Sequence, residues 1–192
     1  MESRRLIDHI NRFVTLSNSE IHRIDSAISC GTFESKETLE SQNRICRYNY
    51  FVVKGCLRMF VNTSEGQEHT IQFAIEDWWL TDYTSFEGRR PAEYNIQTVE
   101  QSQLVMIERE KLEALYRDIP KLERYFRLIT QRAYAASLYR ISLIYNMSKR
   151  DRYLNFVNKF PDFARRVPQY ILASYLGMSA EYISEIRNSL TQ

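Results

Sequence analysis

At 192 residues, 44% hydrophobic and 13% aromatic, the chain has room for one or two domains with real cores, which excludes a disordered or fibrous protein. The 26 lysines and arginines against 24 acidic residues leave a net charge of +2, which by itself says little about partners. No run of about 18 apolar residues exists, and Met1-Glu2-Ser3-Arg4-Arg5 leads into a charged helix in place of a signal segment, so a cytoplasmic protein without membrane association is expected.

Leu6, Ile7, Ile10, Phe13 and Val14 recur at helical spacing. Ser17-Asn18-Ser19-Glu20 then offers a capping box ahead of Ile21, Ile24 and Ile28, so two short helices open the chain. From Gly31 to Glu108 the character changes to β-branched and aromatic runs broken by turn residues. Strands are expected at Tyr50 to Gly55 and Leu57 to Val61, then, after a hairpin loop at Asn62-Thr63-Ser64-Glu65-Gly66, at His69 to Phe73. Further strands fit Trp78 to Leu80, Tyr94 to Val99 and Leu104 to Ile107. Short strands at about 8–12-residue spacing indicate a sandwich, barrel or jelly roll with an interior that can take a ligand. Cys30, Cys46 and Cys56 lack C-x-x-C spacing and are expected as buried small hydrophobes, not as a disulfide frame or metal site.

Glu110 to Tyr116 reads as a short helix that stops near Pro120, and a long helix follows over 122–147. In it Leu122, Phe126, Ile129, Ala133, Ala136, Arg140, Leu143 and Met147 alternate by four and three, the seam of a coiled coil. A second copy of the helix is the natural partner, with Ala133 and Ala136 permitting close approach, so a homodimer is expected. Arg140 interrupts the seam, and the alternative is that the stripe packs on the chain's own β-roll.

Tyr153, Leu154, Phe156, Val157 and Phe160 form a further helix halted by Pro161. It is the expected platform for Pro168 to Leu190, whose spacing is that of two short helices crossing at a glycine turn. Pro168 suits a first helical turn, and Leu172, Ala173 and Leu176 share one face. Gly177 can take the left-handed conformation that ends the first helix, and Ser179 caps the second, whose inward residues are Ile183 and Ile186. Glu181, Ser184, Glu185 and Asn188 then share the outward face, where a helix in a DNA major groove meets base edges. The other reading of the same spacing is a helical hairpin in a core. Lys149, Arg150, Arg152, Lys159, Arg165, Arg166 and Arg187 outnumber Asp151, Asp162, Glu181 and Glu185 from Ser148 onward, a modest phosphate footprint.

Two short helices, a β-roll, a long helix and a C-terminal helix-turn-helix, in this order, resemble the Crp/Fnr family of bacterial transcription regulators. The pieces that carry the resemblance are Phe51-Val52-Val53-Lys54-Gly55, Glu76-Asp77-Trp78-Trp79, and Val167-Pro168 through Ile186-Arg187. It implies an α+β chain: a cyclic-nucleotide-binding-like jelly roll with flanking helices over 1–118, a dimerisation helix over 119–147, and a small all-α helix-turn-helix domain over 148–192. It also implies double-stranded DNA as partner, read by the helix 179–190. Ser179, Ala180, Glu181, Ser184, Glu185, Arg187 and Asn188 would stand at the DNA, with Arg165 and Arg166 on phosphates. RNA polymerase and an unidentified small-molecule effector are further candidate partners.

Two departures matter. Members that bind cyclic AMP hold it with a Gly-Glu pair and a later Arg-Ser pair. Counting from Trp78 and Trp79 puts Leu80 and Thr81 at the first pair, and counting back from Ile96 puts Ala92 and Glu93 at the second. The phosphate-binding arginine is therefore absent, and Glu93 sets a like charge where a phosphate would sit. Arg89 and Arg90 are the candidates to replace it, though Glu87 to Pro91 also reads as a solvated turn; Trp78, Trp79, Thr81 and Asp82 complete the candidate pocket. On the DNA side, Ala180 and Glu185 replace arginines common in the family, while Glu181 retains an acidic residue able to accept from cytosine N4. The chain also stops soon after Leu190, where many members continue into a β-hairpin wing.

A transcription regulator leads, with no cofactor expected. The competing reading is a ligand-sensing or protein-interaction dimer whose helix-turn-helix no longer binds DNA, motivated by the acidic Glu181 and Glu185. A cupin-like metalloenzyme shares the roll, but only His9, His22 and His69 exist, one of them in the β region, so neither metal nor catalysis is expected.

Overall fold

The computed structural model describes residues 2–191, which form two compact units. The first comprises residues up to 61 and 72–130, and the second comprises 62–71 and the chain from 131 onward. The division falls inside the long helix, after Thr130, and residues 62–71, the tip of one hairpin, belong to the second unit.

The first unit opens with α1 (Glu2–Asn11) and α2 (Asn18–Ala27). Ser17 and Glu20 make the reciprocal capping box of α2. Ile28, expected as the last helical apolar residue, instead starts β1 (Ile28–Phe33), because its partner Ile107 offers a ladder position. The roll continues with β2 (Thr38–Glu40), β3 (Tyr48–Lys54), β4 (Leu57–Asn62), β5 (Glu68–Ala74), β6 (Trp79–Leu80), β7 (Asn95–Thr98) and β8 (Ser102–Glu108). Two four-stranded sheets result, ordered β1-β8-β3-β6 and β2-β7-β4-β5. Gly55 turns β3 into β4 at φ 108, and a Cβ there would lie 2.8 Å from the Ser102 Cα, so only glycine fits.

Period-two alternation gives β3 two jobs. Phe51 and Val53, with Trp79, Val105 and Ile107, pack against the helices, where Leu6, Ile10, Ile24 and Leu115 complete one core. Tyr50, on the opposite face, donates its hydroxyl to Glu40 Oε1 of the other sheet at 2.9 Å. Burial of each large apolar side chain here stabilises the fold by about 1.5–3 kcal/mol.

Ahead of the turn expected over 87–91 stands α3 (Tyr83–Gly88), which Asp82 caps by accepting from the Ser85 backbone N–H at 3.1 Å. Then follow α4 (Arg109–Asp118) and the long α5 (Lys121–Asn146). Cys46 and Cys56 are buried as expected, whereas Cys30 on β1 is exposed.

In the second unit α5 gives way to α6 (Lys149–Lys159), α7 (Pro161–Arg166), α8 (Gln169–Leu176) and α9 (Ala180–Thr191). Ser148 caps α6 by accepting from the Asp151 backbone N–H at 3.1 Å. The short α7 has no counterpart in the sequence reading, since Pro161 both halts α6 and starts it. No helix of the described residues is long and apolar enough to cross a membrane.

Candidate nucleic-acid interface

The sequence Leu172 to Ile186 builds the angle between α8 and α9 locally. Gly177 sits at φ 69, ψ 42 and closes α8 by donating its N–H to the carbonyls of Ala173 and Ser174. Met178 N bonds Ala173 O at 3.0 Å, completing a Schellman-type end. Ser179 then accepts from the Tyr182 backbone N–H at 3.2 Å and starts α9. Leu172, Ala173 and Leu176 on α8 are buried with Ile183 (1% exposed) and Ile186 (2%) on α9. That buried seam fixes which side of α9 faces out.

The outward side carries Glu181, Ser184, Glu185, Arg187 and Asn188, all exposed, with Ala180 half-buried. Hydrogen bonds from its own backbone N–H and then from Ser179 hold the Glu181 carboxyl below the ordinary range, so at neutral pH it is an ionised, acceptor-only group. Arg150 Nη1 donates to Ser189 Oγ at 2.9 Å, tying α6 to α9. Arg165 is exposed and pairs with Asp162 on its own helix, and Arg166 is half-buried.

One contributor is missing from the sequence reading. Gln169, the first residue of α8, donates Nε2–H to Ala180 O at 2.9 Å and to Ser184 Oγ at 2.7 Å. Its Oε1 accepts from Arg187 Nη1 at 3.2 Å. No motif spacing points to it, because the contact spans the turn.

Within the second unit, α5 turns one face toward its own partners. Arg140 lies over the Tyr175 ring at 4.7 Å, and Met147 Sδ accepts from Asn155 Nδ2 at 3.6 Å. Tyr134, Leu138, Ile141 and Tyr145, at spacings of four, three and four, are exposed instead, Tyr145 by 84%. At the other end of α5, Leu122 is 1% exposed and Phe126 packs on Trp79 with ring centroids 5.1 Å apart. Ile129 is partly buried on the same core. The expected seam is thus corrected at its ends: Leu122, Phe126 and Ile129 serve the chain's own core, and Met147 with Arg140 serves the second unit. Ala133 and Ala136 remain exposed, and Leu143 is half-buried.

The pocket segment of the first unit is bonded within itself. Trp79 is buried and donates Nε1–H to Tyr125, whereas Trp78 is 48% exposed. Thr81 donates to Tyr48 O at 3.0 Å. The second oxygen of Asp82 accepts the Glu93 backbone N–H at 3.0 Å. Ala92 is buried and exchanges backbone bonds with Asn43 and Arg44. Arg89 pairs with Glu110, and Arg90 and Glu93 are exposed. Asp82 therefore joins the two stretches that sequence counting set apart, while Trp79 and Arg89 point to other neighbours.

Among the described residues no group of three or more His, Cys, Asp or Glu side chains is arranged to hold a metal ion.

Residues 31–118 match the family model of the cyclic nucleotide-binding domain. No curated protein sequence matches the chain. Solved structures do. The c-di-GMP responsive global regulator CLP of Xanthomonas campestris superposes with a TM-score of 0.75 at 15% identity, over 91% of this chain and 92% of that one. FixK2 of Bradyrhizobium japonicum gives 0.73 at 15% identity, over 85% and 84%. A protein of Eubacterium rectale described as a transcriptional regulator of the Crp/Fnr family gives 0.72 at 15% identity, over 92% and 84%. At such identities the likeness concerns the fold.

Proposed function

We propose that this chain, which carries a cyclic nucleotide-binding domain over residues 31–118 and has the fold of Crp/Fnr regulators, is a dimeric transcription regulator that reads DNA with α9. The observation that carries the reading is the exposed row Glu181, Ser184, Glu185 and Asn188, held outward by Ile183 and Ile186 across a glycine turn. Such a row can present side chains to base edges in a major groove. Ser179 and Ala180 would approach the DNA at the start of α9, and Arg187, Arg165 and Arg166 would contact phosphates. Two readers matching a two-fold operator need a dimer, for which Tyr134, Leu138, Ile141 and Tyr145 offer the apolar stripe, flanked by Ala133 and Ala136.

Cyclic AMP is not the effector in this reading. Ala92 and Glu93 present no cation, and the backbone N–H groups of both are already bonded, to Arg44 and Asp82. The role is binding, not catalysis, and RNA polymerase is the downstream partner that an activator would require. The exposed Glu181 and Glu185 favour a second reading, a dimer that senses a ligand without binding DNA, since carboxylates repel phosphates. Selection of a random duplex pool with the purified protein separates the two: enrichment of a two-fold symmetric site supports the regulator, and no enrichment at any salt concentration supports the second reading.

A further inference from the structure

We propose that Arg140 is a positioning residue that fixes the spacing between two DNA half-sites, because it ties the dimer face of α5 to the end of α8. The inference rests on the reading that α9 meets DNA in a dimer. Both ends of the linkage lie in the second unit: the stripe Tyr134, Leu138, Ile141 and Tyr145 on α5, and the pair α8 and α9. At about 3.6 residues per turn, Arg140 projects roughly 130° around α5 from that stripe. A second copy seated on the stripe therefore leaves Arg140 to its own chain.

The last turn of a helix has carbonyls without helical partners. In α8, Gly177 and Met178 donate their N–H groups to those of Ala173 and Ser174. The Tyr175 carbonyl accepts from Arg140 Nη1 at 3.4 Å, and the same guanidinium lies over the Tyr175 ring at 4.7 Å. Phe156 of α6 meets that ring with centroids 5.9 Å apart. A second arginine stands at the junction. Arg152 of α6, 7% exposed, donates Nη1–H to Ile144 O in the last turn of α5 at 3.4 Å, and its Nη2 lies 3.9 Å from where a Gly177 Cβ would be. Helix C-terminal ends carry partial negative charge, so the ends of α5 and α8 are each matched to a cation. The arginine that interrupts the apolar seam is thus claimed by α8. In a two-fold dimer, any shift of α9 relative to α5 enters the distance between the two readers twice. One extra base pair of spacing is about 3.4 Å, so a slack of about 1.7 Å per protomer, with about 17° of turn, suffices to accept it.

The two-fold site enriched by the wild-type chain, rebuilt with spacers of varied length, tests the proposal with the full chain and Arg140→Met. Methionine keeps an apolar stem and removes the cation and its donors. The wild-type protein is expected to prefer one spacer length. Arg140→Met should stay dimeric by sedimentation and keep the half-site sequence, yet its preference for that length over those one base pair longer or shorter should fall by about tenfold, the scale of one cation–π contact with one hydrogen bond from a charged group. A uniform loss of affinity at every length, with the wild-type profile intact, is what a merely structural role gives, and it overturns the proposal. So does a wild-type chain indifferent to spacer length. Should Arg140→Met fail to fold, Tyr175→Leu, which withdraws the ring and keeps apolar bulk, must broaden the length profile in the same sense. Absence of any two-fold site in the wild-type selection instead overturns the dimeric reading itself.

Discussion

Trp79 donates its indole Nε1–H to the Tyr125 hydroxyl at 2.8 Å inside the first unit. His9 Nδ1 lies 2.7 Å from the same oxygen. The hydroxyl thus bridges the indole and imidazole nitrogens. Strand β6 of the pocket segment, α1 and the start of α5 are joined in this way by one hydroxyl. Tyr125→Phe leaves the Trp79 Nε1–H and the His9 Nδ1 buried without that partner, a loss of about 1–3 kcal/mol. Chemical denaturation measures it; an unchanged midpoint would show that water replaces the hydroxyl.

The dimer is predicted to use the exposed stripe of α5. Leu138→Glu and Ile141→Glu together are expected to give a 23.0 kDa monomer by sedimentation. Leu122→Ala, by contrast, opens a cavity in the chain's own core and should cost about 2–5 kcal/mol of stability with association intact. A double variant that stays dimeric would place the interface elsewhere.

Two glutamates give opposite pH dependences. Burial pushes the Glu40 carboxyl up, despite bonds from the Arg47 and Tyr48 backbones and the Tyr50 hydroxyl. A raised folded-state value means a contribution present below the unfolded value and lost as pH rises through the folded one. The Lys121 ammonium, with the Ser17 backbone N–H, holds Glu20 down at about 2. Its contribution is present above the unfolded value and fades as pH falls toward 2. Stability of Glu40→Gln should therefore decline less than wild type as pH rises above the acid range, and Glu20→Gln should lose the acid-side dependence; parallel curves for all three proteins would refute both.

Gly177→Val is expected to destabilise the second unit by about 1–3 kcal/mol. The cause is backbone and not space, because the nearest atom to an added Cβ is Arg152 Nη2 at 3.9 Å while φ is 69. Asparagine tolerates that conformation better than valine. Thermal unfolding in the order glycine, asparagine, valine supports this account, and equal losses for the two variants would contradict it.

Positioning and reading residues should fail differently in DNA binding. Arg166→Ala is expected to weaken all sequences alike and reduce the salt slope by about one unit, whereas Glu181→Ala relaxes one base pair by roughly 1–3 kcal/mol. Titrations against the selected site and single-base variants at several salt concentrations distinguish them. Binding indifferent to Glu181, Ser184 and Asn188 together would show that α9 is not the reader.

Local chemistry made part of this protein legible from its residues alone. The capping box at Ser17 and Glu20, the glycine end at Gly177, the cap at Ser179 and the inward pair Ile183 and Ile186 are set by neighbours a few positions away, and each is found where its spacing puts it. Strand positions from Tyr50 to Val61 followed from β-branched and aromatic runs broken at Gly55, again a local signal. Other features depend on what lies across the fold. Ile28 continues a helical pattern, yet a ladder opposite Ile107 decides for strand. Leu122 and Phe126 fit a coiled-coil seam as well as a core, and only Trp79 and its neighbours claim them for the core. Asp82 stands in the pocket segment by count, and only the fold shows that it caps α3 and holds the Glu93 backbone. Gln169 shows the limit most clearly: its partners stand 11 to 18 positions away around a turn, so its hydrogen bonds exist only once Gly177 has brought α8 and α9 together.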